Sequence, residues 1–291
     1  MKPILRRFGI YLAALLLLCW TIAPIYWLLS LSLMSGVERT STPTHLYPHA
    51  PTITNYTRIL GFSWYGITGE LHPPSGHSPA VLRGLTNSAI IATVVTALTF
   101  LVALPAAYSL GRLRFRFKGP TLFSIIASRS LPDIAMLIPF FIIFQLVGLR
   151  GSLWGVIIMH FTLTTPLITW VMTTLFAALP KTVEREARVD GCNRLQAFWH
   201  VIMPMAMPGV IAALCFTWMI SWNEFTYGLL IAGGTPAGTY PPVLSSLLAV
   251  DYGQPDHAAA TAAMVIGMVP SIVLAYIYQG QMRRLNVVSP F

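Results

Sequence analysis

The sequence predicts an all-α integral membrane protein with six transmembrane helices, and three observations carry that expectation. Of its 291 residues, 55% are hydrophobic and only 9% charged, where a soluble domain carries about a quarter charged residues. Mean hydropathy is +0.69. Six apolar runs are each long enough to cross a hydrocarbon core of about 30 Å, and none alternates polar and apolar residues as the strands of a membrane barrel do. Such a composition cannot cover a water-facing surface. An ordinary cytoplasmic enzyme is excluded.

The N-terminal segment, residues 1–9, places Lys2, Arg6 and Arg7 ahead of the first run, 10–33. That run is too long for a signal peptide and no small-residue cleavage site follows, so it reads as a first span bent at Pro24. An outer loop, 34–86, is rich in Pro, Thr, Gly and His. The second span is expected near 87–110, the third near 121–147, the fourth near 152–177, the fifth near 207–232 and the sixth near 258–278. A second outer loop, 233–257, carries GGTPAGTYPP, and residues 282–291 close the chain. No internal repeat is evident, which gives an inverted-repeat secondary transporter little support.

The net charge of +9 and pI near 9.8 would suggest nucleic acid in a soluble protein. In a membrane protein the distribution matters more. Alternate connecting segments hold thirteen basic residues, among them Arg112, Lys118, Lys181, Arg188 and Arg283; the opposite side holds four, Arg39, Arg58, Arg83 and Arg150. Basic residues are retained on the cytoplasmic side, so both termini of this multi-pass protein are expected in the cytoplasm, with lipid and not nucleic acid around it. Cys19, Cys192 and Cys215 are far apart and imply neither a disulfide framework nor a metal site. The seven histidines form no metal signature either. His72 and His77 with Glu70 read as a solvated loop rather than a zinc site.

The most informative stretch is the cytoplasmic loop 180–206, between spans four and five. Its first part is charged and helical in spacing, with Glu184, Arg185, Glu186 and Asp190, and Gly191 interrupts it. A second run puts Leu195, Phe198, Trp199 and Ile202 at i, i+3, i+4 and i+7 on one face, and Pro204 is expected to stop it before span five. The loop therefore reads as helix, glycine turn, helix. Glu184, Glu186 and Asp190 read as contacts for a partner rather than as acid–base carboxylates, because no pocket accompanies them.

This loop resembles the EAA loop of bacterial ABC importer permeases, with Asp190, Gly191, Phe198, Ile202, Pro204 and Pro208 at matching places. Arg185 stands at the strict Glu position, Glu186 at the first Ala, and Cys192 where Ala follows the glycine. The resemblance extends along nearly the whole chain to the second permease of maltose-type carbohydrate importers. Its further motifs are Asn55-Tyr56, Asn87-Ser88, Ala107-Tyr108, Arg112-Leu-Arg-Phe115, Leu131-Pro132, Ile138-Pro139, Gly148-Leu149, Trp222-Asn223-Glu224-Phe225 and Tyr240-Pro-Pro-Val243. The usual glycine-rich tail is replaced by LNVVSPF.

The resemblance implies a transport subunit with a permease core over 87–281, half of a translocation pathway for a mono- or oligosaccharide. It implies a homologous second permease, two ATP-binding-cassette subunits and an extracytoplasmic binding protein as partners. The chain has no G-x-x-x-x-G-K-[ST] phosphate loop, so it is expected to bind no cofactor itself, with ATP and Mg held by the partner ATPases. The loop at 180–206 would then be an ATPase-coupling element, a cytoplasmic coupling-helix loop between helices 4 and 5. Thr235, Pro236, Ala237, Gly238, Thr239 and Tyr240 would contact the binding protein.

Polar residues within spans are candidates for the substrate path. Arg129 and Asp133 sit four residues apart in span three, either as a self-neutralising helical pair or as a path cation that favours an anionic ligand. Asn223 and Glu224 sit within span five near Trp218 and Trp222, a mixture that suits sugars but also serves helix–helix association. An ABC permease for an anionic or phosphorylated polyol such as glycerol 3-phosphate, and a self-contained secondary transporter, are the alternatives. A membrane-embedded enzyme would need a convergent nucleophile and base, or metal ligands, and none is visible.

Overall fold

In a computed structural model, which describes residues 2–39, 41–43, 45–66, 69–248 and 257–286, nearly every element is helical. Five helices are long and apolar enough to cross a membrane: Arg6–Leu33, Ser78–Arg112, Leu153–Ala178, Arg194–Trp222 and His257–Gly280. The first, second, fourth and sixth expected spans each coincide with one of them. The chain divides into two compact units, Met1–Leu82 with Leu244–Val269, and Arg83–Val243 with Pro270–Phe291.

In the first unit, α1 (Lys2–Leu33) runs through Pro24 without a break. None of its most apolar window is buried within the chain. Short α2 (Gly36–Arg39) and α3 (Thr54–Ile59) follow, then a two-residue hairpin pairing β1 (Trp64–Tyr65) with β2 (Leu71–His72). A helix ends with carbonyls that lack partners, and here α3 supplies them: the Asn55 amide donates to Ser32 O (2.8 Å) and Met34 O (3.0 Å). Tyr56 OH lies 2.6 Å from Ser32 Oγ. The Asn55-Tyr56 motif is the device that docks the outer segment on the end of α1.

The second unit takes up most of α4 (Ser78–Arg112), then α5 (Lys118–Ser128), α6 (Asp133–Leu146), α7 (Leu153–Ala178), α8 (Lys181–Val189), α9 (Arg194–Ala197), α10 (Met203–Trp222) and α11 (Thr226–Ala232). Helices α12 (Tyr240–Ser246) and α13 (His257–Asn286) complete the chain. One core joins α4, α7 and α10 through Ala107, Phe176, Phe198, Ile202 and Val210. Another gathers Ile91, Phe144, Val156, Met159, Tyr227 and Ile231. At Gly111 a Cβ would meet Phe176 Cβ and Thr173 O at 3.0 Å, so α4 and α7 approach backbone to side chain there.

Two expectations need correction. The third span is not one helix: α5 ends at Ser128 and α6 starts at Asp133, because Pro132 sits extended (φ −60°, ψ 127°) and disfavours helix in the residue before it. The fifth span is also broken, between Trp222 and Thr226.

Candidate functional site

Residues 180–206 fold as helix, turn, helix. Asp190 and Gly191 form the turn, with Gly191 at φ +92°, a conformation in which a Cβ costs about 1–2 kcal/mol. Asn193 then opens α9 with a capping box: its Oδ1 accepts from Gln196 N, and Gln196 Oε1 accepts from Asn193 N, both at 2.8 Å. Pro204 does not stop the run. Residues Phe198–Ile202 widen into a π-turn, with Met203 N bonded to Phe198 O, and the helix continues to Trp222. The wide turn accommodates Pro204, which has no N–H to donate and whose ring would crowd a regular i−4 carbonyl. Helix α9 is therefore continuous with span five.

The amphipathic face differs from its expected composition. Phe198 and Ile202 are buried, but Leu195 and Trp199 are 67% and 52% exposed. With Phe198 and residues of α4 they line an apolar groove of about 690 Å³. Around Phe198 stand Tyr108 (ring centroids 4.7 Å), Trp199 (5.0 Å) and Phe176 (6.0 Å).

At its other end the loop is clamped to α4. The Arg112 side chain, only 1% exposed, puts Nε 3.0 Å from Glu184 Oε2, Nη1 2.7 Å from Leu179 O and Nη2 3.0 Å from Pro180 O. Tyr108 OH donates to Glu184 Oε1 at 3.1 Å. One planar guanidinium thus serves three acceptors, geometry that a lysine cannot reproduce. Glu184 faces inward, whereas Arg185, Glu186, Asp190 and Gly191 are exposed and so is Pro204. Sequence reasoning singled out Glu184 as a partner contact and missed its internal role. Tyr108 and Arg112 at the end of span two were the available signal.

A second polar cluster surrounds the break after Trp222. Glu224 does not sit inside a helix; Oε1 accepts from Tyr227 N and Oε2 from Gly228 N, both at 2.9 Å, so the carboxylate caps α11. His160 Nε2 lies 3.0 Å from Glu224 Oε2, and His160 Nδ1 2.8 Å from Ser221 Oγ. Trp218 and Trp222 stack at 5.0 Å with 12° between their planes, and Trp218 Nε1 donates to Thr93 Oγ1 at 3.3 Å. Trp222 is buried, while Asn223 is exposed and its Nδ2 donates to Met219 O. His160 was grouped with the metal-free histidines. Its signal was position: no other histidine falls inside an expected span.

The remaining candidates separate. Arg129 caps α5 and Asp133 begins α6, so the two lie on different helices and not one turn apart on the same one. The Asp133 side chain lies outside the described ones. In the outer segment, Ala237, Gly238, Thr239 and Tyr240 are buried. Asn87 Nδ2 donates to Pro236 O and Gly238 O, each at 2.9 Å, and Tyr240 N donates to Ser88 Oγ at 2.8 Å. Asn87-Ser88 holds this segment against α4, which withdraws those four residues from the surface and leaves Pro236 exposed and Thr235 half-buried. Residues 249–256 of that loop lie outside the described ones. Among the described residues no cluster of His, Cys, Asp or Glu could hold a metal ion.

Comparison with known proteins fits this architecture. The family described as binding-protein-dependent transport system inner membrane component matches residues 101–286. The sulfoquinovosyl glycerol transport system permease protein SmoH of Agrobacterium fabrum is 32% identical over 269 residues, covering 92% of this chain and 88% of the relative. The trehalose/maltose transport system permease protein MalG of Thermococcus litoralis is 25% identical over 96% of this chain and 94% of its own. In fold, the chain is similar to a bacterial ABC transporter involved in the import of the acidic polysaccharide alginate, with TM-score 0.76 at 21% identity, over 94% of this chain and 96% of that one. The chain belongs to the family of binding-protein-dependent transport system inner membrane components. It is the multi-pass permease subunit of an ABC importer and not its ATPase.

Proposed function

We propose that this permease forms half of the translocation pathway for a carbohydrate, and that an ATPase partner drives it through residues 184–204. The observation that carries the coupling role is mechanical. Helix α9 is continuous with span five through the π-turn, and α8 is clamped to span two by Arg112, Tyr108 and Glu184. A force on the exposed residues Arg185, Glu186 and Asp190 would be passed to two spans together, as a rigid-body rocking motion requires. The carbohydrate assignment is supported by the names of the relatives, which refer to sulfoquinovosyl glycerol and to trehalose and maltose. The Trp218–Trp222 stack beside Asn223 suits a sugar. An acidic saccharide is favoured by Arg129, an exposed cation at the break in span three.

In the same reading, α5 and α6 together make the sixth crossing, both termini are cytoplasmic, and a homologous permease, two ATPase subunits and a binding protein complete the complex. Contact with the binding protein falls to Thr235 and Pro236 of the outer segment. Asp190→Lys tests the coupling role: the variant should insert normally, yet lose retention of the ATPase on purification and lose ATP-driven uptake. Wild-type values in both measurements would reduce the loop to a connector. Topology is tested by cysteine labelling in a background without Cys19, Cys192 and Cys215. A cysteine at His72 should react with an impermeant reagent in intact cells, and one at Lys118 should not.

A further inference from the structure

An ionisable pair sits where water is scarce and is not used by the coupling role. His160, in α7, is 1% exposed. With Nε2 donating to Glu224 Oε2, its Nδ1 is left to accept the Ser221 hydroxyl proton in the neutral ring, a tautomer assigned from its partners. The network continues: Thr164 Oγ1 donates to His160 O at 2.9 Å and lies 2.9 Å from Thr99 Oγ1 on α4. Four segments, α4, α7, α10 and the start of α11, are joined through these side chains.

The break itself explains why such a network is needed. Interrupting a helix inside a membrane leaves backbone N–H groups without partners, and hydrocarbon supplies none. Glu224 satisfies two of them. A carboxylate there then needs its own donor, and His160 provides it. Neither Pro nor Gly lies in the Asn223-Glu224-Phe225 break; side chains hold it open.

We infer that His160 and Glu224 are positioning residues, a latch that locks the break in span five. The latch thereby holds Trp218, Trp222 and Asn223 in place for the cargo. The two act through those neighbours: Ser221 and Glu224 flank Trp222 and Asn223 in the chain, so a shift of either bonded residue re-aims what lies between. This inference rests on the reading that residues 218–223 face the translocation path.

The test uses the complete transporter in nanodiscs, with Asn223→Cys as the only cysteine of this chain. The rate of labelling by a small thiol reagent is compared in the nucleotide-free state, with Val189→Cys, alone in a separate version of the chain, as the reference. His160→Leu should change the rate at 223 at least fivefold and leave the rate at 189 within twofold. His160→Gln, whose amide still donates to Glu224, should return the 223 rate to within twofold of the starting protein. Rescue by glutamine separates a bonded latch from bulk packing, which leucine fills as well. Should His160→Leu fail to assemble, Ser221→Ala, which removes one arm of the latch, is read in the same way. An unchanged rate at 223 in an assembled variant overturns the latch. A changed rate there, combined with wild-type uptake by Trp218→Ala of radiolabelled trehalose and sulfoquinovosyl glycerol, would sink the path reading and leave the latch standing.

Discussion

Glu184 and Glu224 each tie an interrupted stretch of chain to a neighbouring span, but at different depths. Glu184, beyond the end of span four, is held by Arg112 and Tyr108 from α4. Glu224, inside span five, is held by His160 from α7 and caps α11. Arg112 reaches beyond its carboxylate to two backbone carbonyls, and Pro180, which carries one of them, is exposed. Glu224 has no such recourse. Where water can compensate, the protein uses a permanently charged, multidentate cation. Where it cannot, an imidazole links the carboxylate to a neighbouring hydroxyl, and two backbone N–H groups complete the network.

The largest effect should come from breaking the clamp on one side. Arg112→Ala strands a part-buried carboxylate, a change that costs about 3–5 kcal/mol for buried pairs; with Glu184 17% exposed, the lower end is expected. Thermal unfolding in detergent should fall by several degrees and ATPase co-purification should drop. Arg112→Lys should recover only part, because an ammonium cannot serve three acceptors at once. The double change Arg112→Met with Glu184→Leu sharpens the contrast. It should be milder than Arg112→Ala, since removing both charges leaves neither unpaired. At membrane depth the matching change, His160→Leu with Glu224→Leu, should remain as damaging as Glu224→Leu alone, because the N–H groups of Tyr227 and Gly228 stay uncapped. If both double variants recovered alike, the difference in depth would mean nothing.

Intermediate effects concern the turn. A Cβ added at Gly191 meets no neighbour within 4 Å, so the cost of Gly191→Val is chiefly conformational, about 1–2 kcal/mol. It should weaken ATPase retention more than it lowers thermal stability, and Gly191→Asn should be milder because Asn tolerates the left-handed region. The smallest effect is expected at the α9 cap. Asn193→Ala removes the capping box and should cost about 1 kcal/mol, read as a small drop in thermal midpoint with assembly intact.

The helical class and four of the spans were legible because apolar runs of this length have few other uses. The turn at Gly191 was legible because glycine has a local reason to be there. The breaks were not. Leu131-Pro132 carries a break signal, but the surrounding apolar run masks it. The break after Trp222 has no local signal, since the residues that hold it open, His160 and Ser221, are partners brought in by folding. Pro204 misled for the opposite reason: its local rule is a helix stop, and a π-turn of five residues absorbs it. The outer segment erred the same way. Its Gly and Pro content reads as surface, while Asn87 and Ser88, about 150 residues away, bury it.

The central claim is that the α8–α9 knob and span five move as one body, and a single distance tests it. Spin labels at exposed Val189 in α8 and Met207 in α10 would be measured in the assembled transporter, nucleotide-free and then trapped with vanadate. The predicted result is one narrow distance, unchanged between the two states to within about 2 Å, the scale of a helix shift. In Arg112→Ala the distribution should broaden or move. A wild-type distance that shifts well beyond that scale when nucleotide is trapped would contradict the claim, because the knob would then be turning on its own.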